Sequence, residues 1–463
     1  MSEQAKFLEG SLLKHITVMS LTASVGLMAI FVVDLVDMIF ISMLGRDELA
    51  AAVGYAGAIL FFTTSVAIGM AIAAGALVAR ALGAGEEDLA KRQATNTLIY
   101  GVILASIFSL VVWLNLGFLA DLIGASGVTH ALAVGYLAII VPSLPLLVIG
   151  MVSSAILRAH GDARRAMMVT ISGGVVNAVL DPILIFGLDL ELTGAALASV
   201  AARMAIAFFG FWPVLKVYRG FAAPSIDSMH HDVRPVVGLA APAILTQLAT
   251  PIGSAYVTRS MAEFGEGAVA GMAIIGRLTP VAFGVIFALS GAIGPIIGQN
   301  FGARKHARVR EAFRDAMVFT AIVVVLMTGI LFLLRAPIAA LFEAEGVTRQ
   351  LVFLFCGPLA LAVFFNGVIF VANASFNNLG HPYYSTWINW GRHTLGTIPP
   401  VILGALWFGA PGVLYGQAFG GFFFAAIAWV LALRVMRVAE GMEVKNEPHH
   451  RQARLLGLFH NRR

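Results

Sequence analysis

The sequence has little charge and almost no cysteine. Of its 463 residues, 12% are Asp, Glu, Lys or Arg, whereas soluble domains carry about 25%. The single cysteine, Cys356, excludes an internal disulfide framework and a CxxC metal or redox site. The segment ALGAGEED at 81–88 lacks the GK[ST] of a phosphate-binding loop, so direct use of ATP is not expected. No Ser/His/Asp or metal-ligand constellation stands out in the sequence, which is therefore not expected to encode an enzyme.

Long apolar runs are what the sequence has instead. Apolar residues make up 59% of the chain, and its mean hydropathy is +0.89. As helices, these runs are long enough to cross a hydrocarbon core of about 30 Å. The pattern predicts an all-α membrane protein with twelve transmembrane helices. The twelve segments are residues 16–44, 50–79, 94–118, 131–157, 166–188, 194–215, 238–262, 268–298, 316–334, 350–376, 384–407 and 412–433.

The basic residues test this count and give an orientation. If the N-terminus is cytoplasmic, 23 of the 30 Lys and Arg residues lie in cytoplasmic segments, three lie in outer loops and four lie within spans. Cytoplasmic loops carry an excess of positive charge, and one span more or fewer would remove the asymmetry. We therefore predict a multi-pass protein of the bacterial cytoplasmic (inner) membrane with both termini cytoplasmic. The arginines within spans are Arg203, Arg259, Arg277 and Arg392.

The basic pI, near 9.5, does not indicate nucleic-acid binding. The excess positive charge is spread over alternate loops and is not gathered on one face. Orientation in the membrane and attraction to anionic lipid headgroups explain it. Membrane lipid and small molecules are the expected partners, nucleic acid is not, and the chain is expected to be a monomer.

An internal repeat divides the chain. GALVARALGAG at 75–85 resembles GPIIGQNFGAR at 294–304, with Gly83 and Gly302 at equivalent positions 219 residues apart. The same offset aligns two glycines in the loops after the fourth span of each half. The repeat predicts two six-helix lobes related by a pseudo-twofold axis along the membrane normal, which move against each other to alternate access to a substrate between them. The predicted units are an N-terminal lobe (1–215), a cytoplasmic linker (216–237), a C-terminal lobe (238–433) and a basic cytoplasmic tail (434–463).

Deep carboxylates are few, and all lie in the N-terminal half. Asp34 and Asp37 stand in FVVDLVDMIF on span 1, and Asp181 stands in NAVLDPILIF on span 5, one helical turn after Asn177. Asp37 and Asp181 are each about 10–12 Å below the outer ends of their spans. A carboxylate at bilayer depth is costly and normally faces a cavity, an ion path or a partner. The pair therefore predicts a site that takes up and releases a cation.

Each of these assignments has an alternative. Asp181 precedes Pro182, so it is a candidate cap of a half-helix that begins at the proline. Asp34 is a candidate hydrogen-bond partner of a neighbouring helix. A proton is the first choice of coupling ion. Sodium is the second, with Asp37, Asn177 and Asp181 supplying hard oxygen ligands; no other cofactor and no certain metal site are predicted.

Four segments carry a family resemblance: LVDMIFISMLGRDELAAAVG at 35–54, ILRAHGDARRAM at 156–167, NAVLDPILIFG at 177–187 and GAALAS at 194–199. Together they resemble the multidrug and toxic compound extrusion (MATE) family, within the MOP superfamily. The resemblance implies the twelve-span, two-lobe fold over essentially the whole chain. It also implies export of lipophilic, mostly cationic compounds in exchange for protons or sodium.

The resemblance also assigns site residues. It places Asp37 on the acid of span 1, Asn177 and Asp181 on the Asn and Asp of span 5 in the DinF-like branch, and Ser199 where that branch tends to have Thr. Asp34 stands where members often have Asn. The NorM-like branch has acids in its C-terminal lobe, and this sequence has none deep there, which favours the DinF-like branch.

Three hypotheses for function follow. The first is a secondary multidrug antiporter coupled through the N-lobe carboxylates. The second is a flippase for lipid-linked precursors with the same architecture, which would be favoured if Arg203 and Arg392 faced the cleft. The third is a channel or a non-transporting scaffold, against which the two-lobe repeat and the buried acids argue.

Overall fold

The structure, a computed structural model, describes residues 5–446, and seventeen α-helices account for most of that range. Of the predicted tail, residues 447–463 lie outside the described residues. The helices are α1 (Leu12–Met43), α2 (Asp47–Gly83), α3 (Glu87–Leu114), α4 (Leu116–Leu122), α5 (Gly127–Ile140), α6 (Leu144–Ala159), α7 (Ala163–Pro182), α8 (Glu191–Lys216), α9 (Ile226–Ala262), α10 (Glu266–Ala282), α11 (Gly284–Gly302), α12 (His306–Leu341), α13 (Gly346–Phe355), α14 (Val363–Asn378), α15 (Pro382–His393), α16 (Ile398–Phe408) and α17 (Ala410–Asn446).

Helices occupy all twelve predicted spans. Within residues 5–446, eleven helical segments are long and apolar enough to cross a membrane by themselves. The remaining predicted span, 384–407, is divided between α15 and α16 by a turn at 394–397. The predicted all-α membrane architecture is confirmed. The boundary predicted after residue 433 falls inside α17, which continues to Asn446.

Several spans are broken where proline is placed. Pro142 lies in a 3₁₀ turn between α5 and α6, and Pro358 begins another before α14. Proline cannot donate a backbone hydrogen bond, and it is tolerated at the start of a helical segment. At membrane depth such breaks survive only where protein or a water-filled cavity satisfies the freed carbonyls. Pro142 and Pro358 are themselves exposed, whereas Val141, Ser143 and Ala360 in the same two breaks are buried.

Pro182 ends a helix and does not begin one. α7 runs through Asp181 to Pro182 and continues as a π-helical turn at Ile183–Gly187. Asp181 is thus in the last turn of α7, and the interpretation of it as the cap of a half-helix is wrong. Its side chain is left available for contacts with other helices.

The two halves share cores only at one end of the bundle. We call this the basic end, because α1 begins and α2 ends there beside the loops that carry most of the basic residues. The first turns of α1, including Leu12 and Ile16, belong to a core built mainly from α11, α12, α14 and α17. Reciprocally, Leu239 and Ala240 of α9 belong to a core built from α2, α3 and α6. Each half therefore packs part of its first helix into a core of the other.

Two repeat-related glycines form a close crossing of the halves. A Cβ atom at Gly83 of α2 would lie 2.0 Å from the backbone oxygen of Gln299, and one at Gly302 of α11 would lie 2.0 Å from that of Arg80. Real Cβ atoms do not approach so closely, so only glycine permits this backbone contact. The crossing closes the basic end.

An N-terminal strap, residues 5–11, covers this crossing. The Phe7 side chain is 1% exposed, its N–H donates to Gln299 Oε1 at 2.8 Å, and its carbonyl accepts from Asn300 and Arg308 at 3.1 Å each. Gln299 in turn donates to the carbonyl of Ala159 in the N-terminal half at 2.7 Å. The strap therefore ties α11 and α12 to the end of α6.

At the opposite end, the buried clusters are separate. One cluster contains only C-terminal residues, from Val257 to Leu414, and two smaller clusters contain only N-terminal residues, from Ile41 to Leu192. The halves are joined at the basic end and part toward the other. If the basic end is cytoplasmic, as the charge pattern predicts, the end at which the halves part is the outer one.

Candidate functional site

The candidate site lies where α1 packs on α7. Small residues let the two helices approach: Cβ atoms at Gly26 and Gly174 would be 3.2 Å from Thr170 and 3.3 Å from Val33 across the interface. Residues one to three turns further along each helix, Asp37 and Asn177, then face each other. The local contact of glycine with β-branched side chains thus sets the register of the site.

One amide joins the two acids. Asn177 Nδ2 donates to Asp37 Oδ1 at 3.1 Å and Oδ2 at 2.9 Å, and to Asp181 Oδ2 at 2.5 Å. Asn177 and Asp181 are 6% and 1% exposed, and Asp37 is half-buried. The structure therefore brings together three of the five residues that the sequence predicted for the site.

The two acids have fewer hydrogen-bond donors around them than two ionised carboxylates need. Asp181 Oδ1 is buried, and no described residue donates a hydrogen bond to it. The carboxyl groups of Asp37 and Asp181 are close enough for a proton on one to be shared with the other. A bound cation or a proton would satisfy both groups, since unpaired charge in a low-dielectric interior is costly. The arrangement is suited to taking up a cation.

Two further residues complete the surroundings. Tyr136 on α5 lies near Ser199 on α8 and within electrostatic range of both Asp37 and Asp181. Ser199, the fourth predicted residue, is therefore near the acid pair but separated from it by Tyr136. Sequence reasoning missed Tyr136, because nothing in GYLAII at 135–140 marks a tyrosine as different from other aromatic residues at span ends.

Arg203 also lies in this lobe, with a structural contact. Its guanidinium donates to the carbonyl of Ile140 at 3.1 Å and to Ser143 Oγ at 3.0 Å. Both acceptors stand at the break between α5 and α6. Arg203 thus satisfies a carbonyl that the break has freed, which explains an arginine at this depth.

Asp34 is placed apart from the network. Its side chain is exposed and makes no hydrogen bond to a described residue, although its charge and that of Asp37 repel each other. On the helical wheel it lies opposite Val25, Val32 and Ile39, which are 54%, 56% and 48% exposed and form an apolar stripe suited to lipid. Asp34 therefore lies on the face of α1 opposite this stripe, and the alternative of a hydrogen bond to a neighbouring helix finds no partner among the described residues.

Comparison with known proteins agrees with this architecture. The MatE family profile matches residues 23–183 and 242–401, which together are more than half of the chain. The two matched regions begin 219 residues apart, the offset of the internal repeat. A FAD transporter of Shewanella oneidensis is 29% identical over 424 residues, 90% of this chain and 93% of that protein.

Two other relatives are more distant. The multidrug export protein MepA of Staphylococcus aureus is 23% identical over 376 residues, 80% of this chain and 82% of that protein. The crystal structure of a mutant of the Vibrio cholerae MATE transporter VcmN superposes with a TM-score of 0.86 at 25% identity, covering 92% of this chain and 97% of that one. The chain belongs to the MATE family of multi-pass membrane transporters and is not an enzyme.

Proposed function

We propose that the protein is a secondary active antiporter that exports lipophilic, mostly cationic compounds in exchange for protons or sodium. The observation that carries this proposal is the Asn177 amide bridging Asp37 and Asp181 at a buried site. Acids inside a membrane mark ion paths, and this pair has an unsatisfied oxygen that a cation would occupy. Its membership of the DinF-like branch belongs to the same proposal.

Helix α1 supplies a route from ion binding to lobe movement. Its first turns are built into the core of the C-terminal half, whereas Asp37 near its other end is bonded to α7 of the N-terminal half. A cation that replaces the hydrogen bonds from Asn177 changes how α1 is held on α7. Such a cation shifts the balance between two lobe arrangements by its difference in affinity for them.

The proton is the preferred coupling ion. Two carboxyl groups and one amide provide few oxygen ligands for Na⁺, whereas one proton is enough to join the two carboxyls. We place the protein in the bacterial cytoplasmic membrane with both termini in the cytoplasm, where the inward proton gradient would load the site from the outer, open side. MepA, the multidrug relative, supports the substrate class.

The FAD transporter supports a second candidate function, export of an anionic dinucleotide. Its similarity extends over 90% of this chain. The acid pair would couple this transport in the same way, with a different substrate surface. The lipid-linked flippase stays a prediction. Of the two arginines proposed to favour it, Arg203 bonds to a helix break within the N-terminal lobe.

Ethidium transport into liposomes tests the coupling site. We expect a pH gradient to drive transport by the wild-type protein, and Asp37→Asn and Asp181→Asn to reduce that transport to background. Asp227→Asn is the matched control, because the Asp227 side chain in the first turn of α9 is 92% exposed. A sodium gradient applied at constant pH separates the two ions. Undiminished transport by both site variants would refute the assignment.

A further inference from the structure

Arg392 places a positive charge in the middle of the C-terminal half. It lies ten residues after the start of α15 at Pro382, a rise of about 15 Å, which is half of a hydrocarbon core of about 30 Å. At that depth the end of a long side chain does not reach the interface. An arginine there is costly unless it faces a cavity, a partner or a ligand.

The side chain points into the lobe and away from lipid. Tyr383 and Trp387 are 57% and 74% exposed and mark the outer face of α15. Arg392 lies about 180° and 140° around the helix from them, at 100° per residue. It shares its face with Ser385 and Ile388, which are 1% and 3% exposed. The guanidinium is thus directed inward.

The Arg392 guanidinium contacts an uncharged side chain of the protein. Among the described residues, the one hydrogen bond that the guanidinium donates goes to Asn366 Oδ1 on α14. A guanidinium has five N–H donors, so most remain available. No Asp or Glu lies between residues 346 and 438 of the sequence, so α13 to α16 offer no counter-charge. Arg203 differs from Arg392, because it donates to a backbone carbonyl at a helix break.

Neighbouring groups fix the position of this charge. The carbonyl of Arg392 accepts a hydrogen bond from Thr397 Oγ1 at 2.9 Å across the turn that separates α15 from α16. The ring of His393 packs against Gly253 of α9, where a Cβ would lie 2.3 Å from Nδ1. The packing of His393 on α9 fixes this end of α15, and Asn366 on α14 holds the Arg392 guanidinium. Arg392 is therefore preorganised for a ligand, since little side-chain freedom remains to be lost.

We propose that Arg392, positioned by Asn366, is an anion-binding subsite in the C-terminal lobe that takes a carboxylate or phosphate group of a lipophilic substrate. A guanidinium binds the two oxygens of either group through paired N–H donors. The inference rests on the proposed transport function and extends its substrate class to compounds that carry an anionic group, with or without a cationic one. The acid pair of the N-terminal lobe then binds a cation, and this arginine binds an anionic group.

Two dyes of one skeleton test the subsite. Fluorescein and rhodamine 123 share a xanthene ring system but are anionic and cationic, respectively. Binding of each to the purified full-length protein is measured by fluorescence anisotropy. We expect Arg392→Gln to weaken fluorescein binding at least about tenfold and to leave rhodamine 123 binding unchanged or tighter. Arg349→Gln, at an exposed arginine in the first turn of α13, should change neither.

A second variant keeps the test valid if Arg392→Gln does not fold. Asn366→Asp places a carboxylate of nearly the same size against the guanidinium, forming an internal ion pair that competes with the ligand. We expect it to preserve the fold and to weaken fluorescein binding as much as Arg392→Gln does. Fluorescein binding that is absent from the wild type, or unchanged in Asn366→Asp and in a folded Arg392→Gln, would overturn the proposal.

The source of the anion and the underlying transport function are tested separately. The binding assay is repeated in vesicles with and without phosphatidylglycerol, to distinguish a lipid headgroup from a soluble anion. If the subsite takes a lipid headgroup, phosphatidylglycerol competes and fluorescein binding weakens. If it takes a soluble anion, the lipid leaves fluorescein binding unchanged. Gradient-driven rhodamine 123 transport, and its loss in Asp37→Asn, report on the antiporter itself. Failure of that transport with fluorescein binding intact would remove the proposed function but leave the anion subsite.

Discussion

Asn177 is the residue on which the coupling site depends most directly, because its amide nitrogen donates to both acids. Asn177→Leu preserves approximate volume and removes these donors. Leaving a buried acid without its partner costs about 1–3 kcal/mol, equivalent to about tenfold or more in an equilibrium. We expect a lower melting temperature in detergent and loss of ethidium transport. Asn115→Leu, an exposed asparagine after α3, is the control and should retain transport.

Asp162 gives a pH-dependent prediction outside the membrane. It caps α7, the helix that carries Asn177 and Asp181, by accepting from the N–H of Arg165 at 3.0 Å and from Tyr218 Oη at 2.7 Å. Burial acts to raise the pKa of the Asp162 carboxyl, but these bonds and the Arg165 guanidinium outweigh it and hold the pKa below its usual range. The ionised form therefore stabilises the fold.

Because the folded-state pKa of Asp162 is depressed, its contribution is complete above the unfolded value, about 3.9, and is lost as the pH falls through the folded value. We expect Asp162→Asn to lower the stability by about 1 kcal/mol at pH 7, seen as a lower melting temperature. The difference from the wild type should shrink below about pH 4. A difference that is constant with pH would contradict the role given to the charge.

The residues that the sequence predicted best are those whose burial in a membrane costs the most free energy. Asp37, Asn177 and Asp181 were predictable, because carboxylates stand out in apolar runs and helical spacing aligns Asn177 with Asp181. Their partners were not equally visible. Tyr136 is an ordinary aromatic residue until α5 is packed against α8, and the role of Arg203 depends on a break in another span 60 residues away.

At the scale of helices, the N-terminal strap is an element that polarity alone did not predict. Phe7 is fully buried at the junction of the halves although it stands in a mixed-charge segment, MSEQAKFLEG. Removing a buried phenyl ring costs about 3–5 kcal/mol. We expect Phe7→Ala to lower the melting temperature clearly and Ile226→Ala, at a side chain that is 88% exposed, to leave it unchanged. Equal melting temperatures for the two variants would exclude a fastening role for the strap.

Span positions were predictable because hydrocarbon thickness fixes a length of apolar sequence. The breaks within spans were not, because an apolar run is equally apolar on both sides of a turn. The segment 384–407 was predicted as one span, whereas Thr394–Thr397 divides it into α15 and α16. That division also places Arg392 beside the turn, where its role depends on a contact with Asn366 of α14 that local sequence does not contain.

For the whole molecule, alternating access requires the crossing at the basic end to open. Gly83 and Gly302 occupy equivalent positions in the repeat, and each lets one backbone touch the other. This contact is available only in the arrangement closed at the basic end. A side chain at either position penalises that arrangement, so we expect it to shift the population toward arrangements in which the crossing is open.

We therefore expect Gly83→Ala and Gly302→Ala to open the basic end and to reduce transport. Spin labels are attached at Glu86→Cys and Arg304→Cys, two exposed positions beside the crossing. Pulsed electron–electron double resonance then measures the distance between the ends of α2 and α11. Cys356 is 0% exposed, so it need not be replaced. Both glycine variants should lengthen the distance, whereas Gly117→Ala, with no atom within 4 Å of the added Cβ, should not. An unchanged distance in both would show that the glycine crossing does not control which side of the cleft is closed.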